Sequence, residues 1–460
     1  MSQPTARQMS LIAFVQASNC SVLTGSWRHP AGMDDYLTPE FYQRIARTLE
    51  AGRFDMMFLD DRLSLPDIYG GDYRETIAHG IRAVKMDPLP PLMAMAAATQ
   101  HLGLGCTYST TYYEPFHVAR LFATMDLMTK GRAAWNVVTS VNDSEAENMG
   151  RVEHMEHDLR YDRADEFLEV VLGHWDSWED GALIIDKAGD RFADPDKVHR
   201  LDHKGTWFRS KGPLAVPRSP QGHPVLLQAG GSGRGLRFAS RWAELVFALY
   251  PNHEVGRKQY KSFKQGVADA GRDPATVKVA PALRVVLGQS EAQAKEQYQF
   301  LDSLNRPIDA LVLLSELMNV DFAKLPCDEP ISDDDMARMS MQTMRDLVVQ
   351  KSGKPNPTVR EFVEFSGRST LREGPTFVGT PGQVADEMEA WFADACDGFI
   401  MYGTYVPGGF EEITRLLVPQ LQRRGLFRKE YPGKTLRDTL GLTRPAAGDW
   451  RKAAPAEASA

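Results

Sequence analysis

Short apolar runs alternate along the chain with longer amphipathic stretches. Runs at 9–16, 54–59, 133–138, 225–228, 245–249, 277–287 and 398–401 are largely apolar on successive residues rather than on every second one, and 106–111 is mostly small and β-branched with a polar tip. That is the pattern of strands covered on both faces, as in a parallel sheet. Between them lie helical periods. Thr38-Pro39-Glu40, a capping residue followed by Pro at the first position, opens a helix that continues over 41–49 and ends at Gly52. After Pro115 the residues Phe116, Ala119, Leu121, Phe122, Met125 and Leu127 recur at helical spacing until Lys130-Gly131. Further helices are predicted over 90–101, 161–175, 236–242, 253–270, 383–392 and 410–424. Eight strands alternating with helices and showing no sequence repeat predict an α/β fold of the closed (β/α)8 TIM-barrel type rather than an open doubly wound sheet.

Two stretches interrupt the rhythm. Residues 181–220 are rich in Gly, Pro and Asp and read as a surface excursion. Residues 290–371 contain no clear βα unit and read as one large, partly helical insertion. It follows the seventh strand, so it should emerge at the barrel mouth as a lid. With a C-terminal tail from about 427, the whole chain 1–460 reads as a single barrel domain with loop insertions. Two successive strands end in polar groups, with Asn136, Thr139 and Ser140 at the second tip, which suggests one rim built for a ligand.

Composition narrows the class. The chain has 460 residues, 43% hydrophobic and 25% charged, as in ordinary globular proteins. A net charge of -8 and the lack of any Lys/Arg run argue against a nucleic-acid partner. Cys20, Cys106, Cys327 and Cys396 are far apart and form no CxxC pair, so neither a disulfide framework nor a zinc cluster is indicated. No apolar run suits a signal peptide or reaches the ~18 residues of a membrane span. A cytoplasmic protein without membrane contact is expected.

Several motifs could carry chemistry. Ala229–Gly235 (AGGSGRG) lies between a strand and a helix, where glycines admit close approach and a helix start offers N–H groups to a phosphate. Leu236 stands where the dinucleotide fingerprint needs its third glycine, and Arg234 breaks the G-x-S-x-G elbow. A phosphate anchor at Ser232 is preferred over a tight turn without a ligand. His154 and His157 are three apart with no H-E-x-x-H, so loop histidines are favoured over a metal site and no metal is expected. Asp60 and Asp61 at a strand tip could be hydrolase carboxylates, but no second acidic tip partners them. His29 and His117 are lone imidazoles, and Trp27 reads equally well as core.

Taken together, TPEFYQRIARTLEAGRFDMMFLDD, GLGCTYSTTYYEPFHVARLFATMD, GRAAWNVVTSVND, EHDLRYDRADEFLEVV, PVLLQAGGSGRG and FVGTPGQVADEM resemble the bacterial-luciferase-like flavin monooxygenases. Within these, the nitrilotriacetate and dibenzothiophene-sulfone monooxygenase group is the nearest in pattern. The resemblance runs from about Gln8 to LRDTLGL and is weakest between Ser290 and Leu371. It implies a (β/α)8 barrel that uses FMN as FMNH2, with O2 as co-substrate. A separate NAD(P)H:flavin reductase would supply the reduced flavin, and the enzyme would be a homodimer or homotetramer. One oxygen atom would enter a small organic substrate (sulfur-containing, aminopolycarboxylate or heteroaromatic) by way of a flavin C4a-(hydro)peroxide. The flavin contacts carried over are Asp60, Thr107, His157, Tyr161 and Ser232, with Asn136 as a further candidate. Phe14, Trp27 and His29 are expected to shape the substrate pocket, and no residue is assigned as general acid or base. The alternatives are a deazaflavin (F420)-dependent oxidoreductase on the same barrel, a barrel hydrolase using Asp60, and a non-catalytic flavin-binding protein.

Overall fold

The computed structural model describes residues 7–32 and 34–452. Eight parallel strands follow one another around a closed barrel: β1 Ser10–Val15, β2 Met56–Leu59, β3 Gly103–Ser109, β4 Ala133–Val138, β5 Val225–Gln228, β6 Leu245–Ala248, β7 Lys278–Leu287 and β8 Gly398–Tyr402. β6 pairs with β7 (Leu245 opposite Lys278) and β1 with β8 (Ser10 opposite Gly398), so no edge is left free. Ile12, Met56, Phe58, Ala134, Leu227, Ala280 and Ile400 fill the interior and are buried, which makes the barrel a packed core rather than a pore.

The predicted strands lie within a residue or two of those observed, apart from β3, which begins at Gly103 rather than 106. Four helices differ more, among them the one expected over 236–242, which begins at Gly233. The helix expected over 90–101 stops at Ala97. The one expected from Tyr161 starts at His157, because the Glu156 carboxylate accepts from the N–H groups of Asp158 and Leu159 and caps an extra turn. The last one, Gly408–Arg423, contains a π-helical segment at Ile413–Leu417 just before Pro419, which has no N–H to continue the regular pattern. Thr376–Gly379, read only as the approach to a helix, is a ninth short strand on the outer end of β7.

The 181–220 excursion holds two small hairpins, Leu183–Asp186 with Arg191–Ala193 and His203–Lys204 with Arg209–Ser210. The 290–371 insertion is mostly helical. Its first helix, Glu291–Ser303, packs on β7 and the ninth strand. Beyond it, Leu314, Met318, Phe322, Ile331, Met336, Val348, Val359 and Phe362 form an apolar core separate from that of the barrel. No helix among the described residues is long and apolar enough to cross a membrane.

The C-terminal segment closes the lower end. Leu436, Leu440 and Leu442 join the interior cluster from below. Gly103 is required there, since a Cβ at this position would stand 2.4 Å from Leu436 Cδ1. Arg428 anchors the approach. Its guanidinium donates to Asp55 Oδ1 at 2.7 Å and to the Thr439 carbonyl at 3.0 Å, while Asp55 Oδ2 accepts from the Leu11 N–H at 2.8 Å. Asp55 is fully buried, and removing one partner of a buried pair leaves the other charge uncompensated. Arg428→Met should therefore cost about 3–5 kcal/mol in urea unfolding. Adding Asp55→Asn should recover part of that loss, and an unchanged midpoint for Arg428→Met would refute the anchor.

Candidate functional site

The C-terminal tips of the strands carry a ring of polar side chains. On the β3–β4 side, Thr107 and Asn136 stand opposite one another in register, and Asn136 Nδ2 donates to Thr107 Oγ1 at 2.8 Å. Both residues are buried, yet Asn136 Oδ1 has no partner. The same holds for Gln228 Oε1 at the end of β5 and for Gln16 Oε1 just beyond β1. Three buried amide oxygens without donors on one rim would each cost stability unless a ligand supplied the donor.

On the β1–β2 side, Asp60 is held from two directions: Lys85 Nζ donates to one oxygen at 2.5 Å and Gln16 Nε2 to the other at 3.0 Å. Asp61 beside it accepts from the Arg62 N–H at 2.8 Å. Burial pushes its carboxyl up to about 6, and the nearby Asp60 and Asp87 charges add to the shift while Lys85 opposes it.

The glycine-rich turn after β5 closes over Tyr161. Ser232 caps the helix Gly233–Trp242 by accepting from the Gly235 N–H at 3.0 Å. A Cβ on Gly230 or on Gly235 would lie 2.7 Å from the Tyr161 hydroxyl, whereas one on Gly231 or Gly233 would meet open space. The turn is thus packed on the buried phenol on one side and free on the other. Burial raises the Tyr161 pKa, so the phenol stays a neutral donor, with Ser232 and Thr139 as its hydrogen-bond neighbours. His157 is exposed one turn ahead in the same helix, bonded to Asp158 at 2.6 Å, with its ring against the edge of Tyr161. The arrangement offers hydroxyls, an imidazole and free helix N–H groups to a dianion. Arg234, which looks available in the sequence, is engaged by Asp162 at 2.9 Å and Asp165 at 2.5 Å.

The aromatic floor consists of Phe14, Phe58, Phe247 and Tyr402, with Phe14 4.9 Å from Phe58 and 5.2 Å from Tyr402, ring centre to ring centre. His29 stacks on Tyr405 at 3.8 Å and meets the edge of Phe300, away from that floor. Trp27 is 44% exposed and donates its indole N–H to the His79 carbonyl, which ties one rim loop to another. His154, read in the sequence as a loop histidine in preference to a metal ligand, shares a hydrogen bond of 2.6 Å with the Tyr112 hydroxyl. Among the described residues, no three His, Cys, Asp or Glu gather as metal ligands would.

The insertion lies over this rim. Asp309, fully buried, takes both arms of Arg28 at 2.7 and 3.0 Å, and Glu316 engages Arg62 and Asn142. Ile81 packs against Val312 and Leu313. Arg28, Arg62, Ile81 and Asn142 sit in loops that leave the C-terminal ends of β1, β2 and β4. Gln16, Lys85 and Gln228 were not singled out in the sequence. Two of them close apolar strand runs, and a polar residue ending such a run was the available signal.

Residues 21–397 match the family model described as luciferase-like monooxygenase. The chain is 47% identical to the dibenzothiophene-sulfone monooxygenase of Rhodococcus erythropolis, over 95% of this chain and 98% of that one. It is 40% identical to nitrilotriacetate monooxygenase component A of Aminobacter aminovorans, covering 95% and 97%. A riboflavin lyase solved with modified FMN and riboflavin superposes with a TM-score of 0.86 at 30% identity, covering 98% and 100%. Coenzyme F420-dependent enzymes share the fold alone, at 13 and 14% identity.

The raised pKa of Asp61 has a stability signature. Its folded value lies above the unfolded one, so the ionised form is the one the fold disfavours. The cost is present in full above about pH 6 and disappears as pH falls below about 4. Asp61→Asn, which keeps the acceptor for the Arg62 N–H, should be more stable than the unmutated protein by about 1–3 kcal/mol at pH 8. That margin should shrink at pH 5; a margin that does not change with pH would refute the assignment.

Proposed function

The chain belongs to the luciferase-like monooxygenase family, and from that premise we propose that it is the oxygenase of a two-component system. It takes reduced FMN from a separate NAD(P)H:flavin reductase and inserts one atom of O2 into a small organic substrate. The name component A carried by one relative supports the division of labour. The observation that carries the reading is the set of orphaned amide oxygens of Gln16, Asn136 and Gln228 beside a glycine turn that is open on one side. A flavin has ring and ribityl donors for the first and a phosphate for the second.

The residues divide the work by chemistry. Tyr161, Ser232, His157 and the first N–H groups of the helix Gly233–Trp242 hold the phosphate end. Thr107 and Asn136 take ribityl or ring groups from β3 and β4. Asp60, fixed by Lys85 and Gln16, accepts from a ring or ribityl N–H or O–H. Bound reduced flavin supplies the activation of O2. The chain contributes orientation and dryness: the insertion, latched by Arg28–Asp309 and Arg62–Glu316, covers the mouth and keeps water from the reacting atoms. Phe14 with Phe247 and Tyr402 forms the apolar floor, His29 and Trp27 stiffen the cover, and no side chain is required as general acid or base.

The test is a coupled assay. The purified chain with NADH and O2 should turn over nothing until a flavin reductase or chemically reduced FMN is added. Robust NADH-dependent oxygenation by the single chain would overturn the proposal. At the phosphate end, hydrogen bonds to charged groups contribute ~1.5–3 kcal/mol. Tyr161→Phe should therefore weaken FMN binding roughly tenfold or more in a fluorescence titration. Riboflavin should bind the unmutated protein poorly, and equal competition by riboflavin would refute the phosphate seat.

A further inference from the structure

Among the described residues, Arg284 is a charge without a counter-ion. It lies in β7, 3% exposed, in register with Tyr402 of β8 on one side and Thr376 of the ninth strand on the other. Among the described residues its side chain makes no hydrogen bond and no ion pair, and its Nε is buried with no acceptor. Its guanidinium meets the ring face of Tyr402 at 5.1 Å, a cation–π contact that satisfies none of its five N–H donors. A cation enclosed in this way, with no carboxylate against it among the described residues, is costly unless an anion meets it, and calls for one from outside.

The neighbouring charges sharpen this. The Tyr402 hydroxyl feels Arg284, Arg82, Asp60 and Glu373. Both carboxylates are already engaged, Asp60 by Lys85 at 2.5 Å and Glu373 by Arg368. Arg82, half-buried, also has an Nε without an acceptor and no ion pair among the described residues. Two cations are left over, above the aromatic floor and beneath the insertion, whose returning chain passes Arg284 at Gly374. The seat ascribed to the flavin phosphate is on β4 and β5, two strands or more from β7 around the barrel.

We propose that Arg284, with Arg82, binds an anionic group of the substrate, so that this enzyme acts on molecules joining an apolar body to a carboxylate, sulfinate or sulfonate. The planar fork of Arg284 suits the two oxygens of such a group. The apolar body lies on Phe14, Phe247 and Tyr402. The proposal rests on the oxygenase reading for its choice of site but not for its test.

The test uses matched probes titrated into the FMN-loaded protein: biphenyl-2-carboxylate and its neutral amide, biphenyl-2-carboxamide. The acid should bind at least tenfold tighter than the amide. Arg284→Gln should abolish that preference while leaving amide and FMN affinities within about twofold. Arg284→Lys should keep part of the preference, and Arg82→Gln should weaken it. These two variants decide the matter if Arg284→Gln does not fold. No acid preference in the unmutated protein, or a preference unchanged in Arg284→Gln and Arg82→Gln, would overturn the proposal. A tenfold loss of reduced FMN affinity in Arg284→Gln with the acid preference intact would do the same and assign Arg284 to the flavin. If the protein takes up no FMN, the oxygenase reading fails separately, and calorimetry with the same two probes still decides the anion site.

Discussion

A parallel sheet that closes on itself must deliver all of its strand ends to the same rim. Here β1 pairs with β8 and β6 with β7, so each of the eight strands runs upward and releases its loop at one mouth. The lower end is stopped by Leu436, Leu440 and Leu442, and the lumen is filled by side chains. A polar residue at a strand tip therefore has only the rim to occupy. That is why Gln16, Asp60, Thr107, Asn136 and Gln228, distant in sequence, come together. The orphaned amide oxygens among them lower the stability of the empty fold by roughly 1–3 kcal/mol each.

Charge is apportioned with similar economy. The most conspicuous cation of the glycine turn, Arg234, is spent on Asp162 and Asp165 within the outer helices. Hydroxyls and helix N–H groups are left at the turn itself. Asp60 carries its own counter-ion in Lys85. Across the mouth the situation reverses, since Arg284 forms no ion pair among the described residues.

Much of the fold was legible because a strand buried on both faces writes itself as an uninterrupted apolar run. Eight such runs with helical periods between them leave little choice of architecture. Thr376–Gly379 escaped notice because four residues beside a glycine and a helix start have no periodicity to read. The first turn of His157–Trp175 escaped because it depends on a carboxylate cap rather than on apolar spacing. At the site, strand-tip residues such as Asp60 and Asn136 could be named from their position. Lys85 and Arg284 could not. Lys85 reaches Asp60 from a loop, and Arg284 sits inside an apolar run where only three-dimensional pairing reveals that no acid faces it.

The insertion's separate apolar core, from Leu314 to Phe362, has a consequence for how such proteins diversify. A segment that packs against itself can change its inner lining without disturbing the barrel strands beneath it. It meets the rim through ion pairs, through the Ile81 contact and through Leu301 and Leu371, which pack beside Leu23 and Val286. The barrel is then a chassis and the insertion a cassette. A change of lining inside such a module would leave the barrel's own packing as it stands.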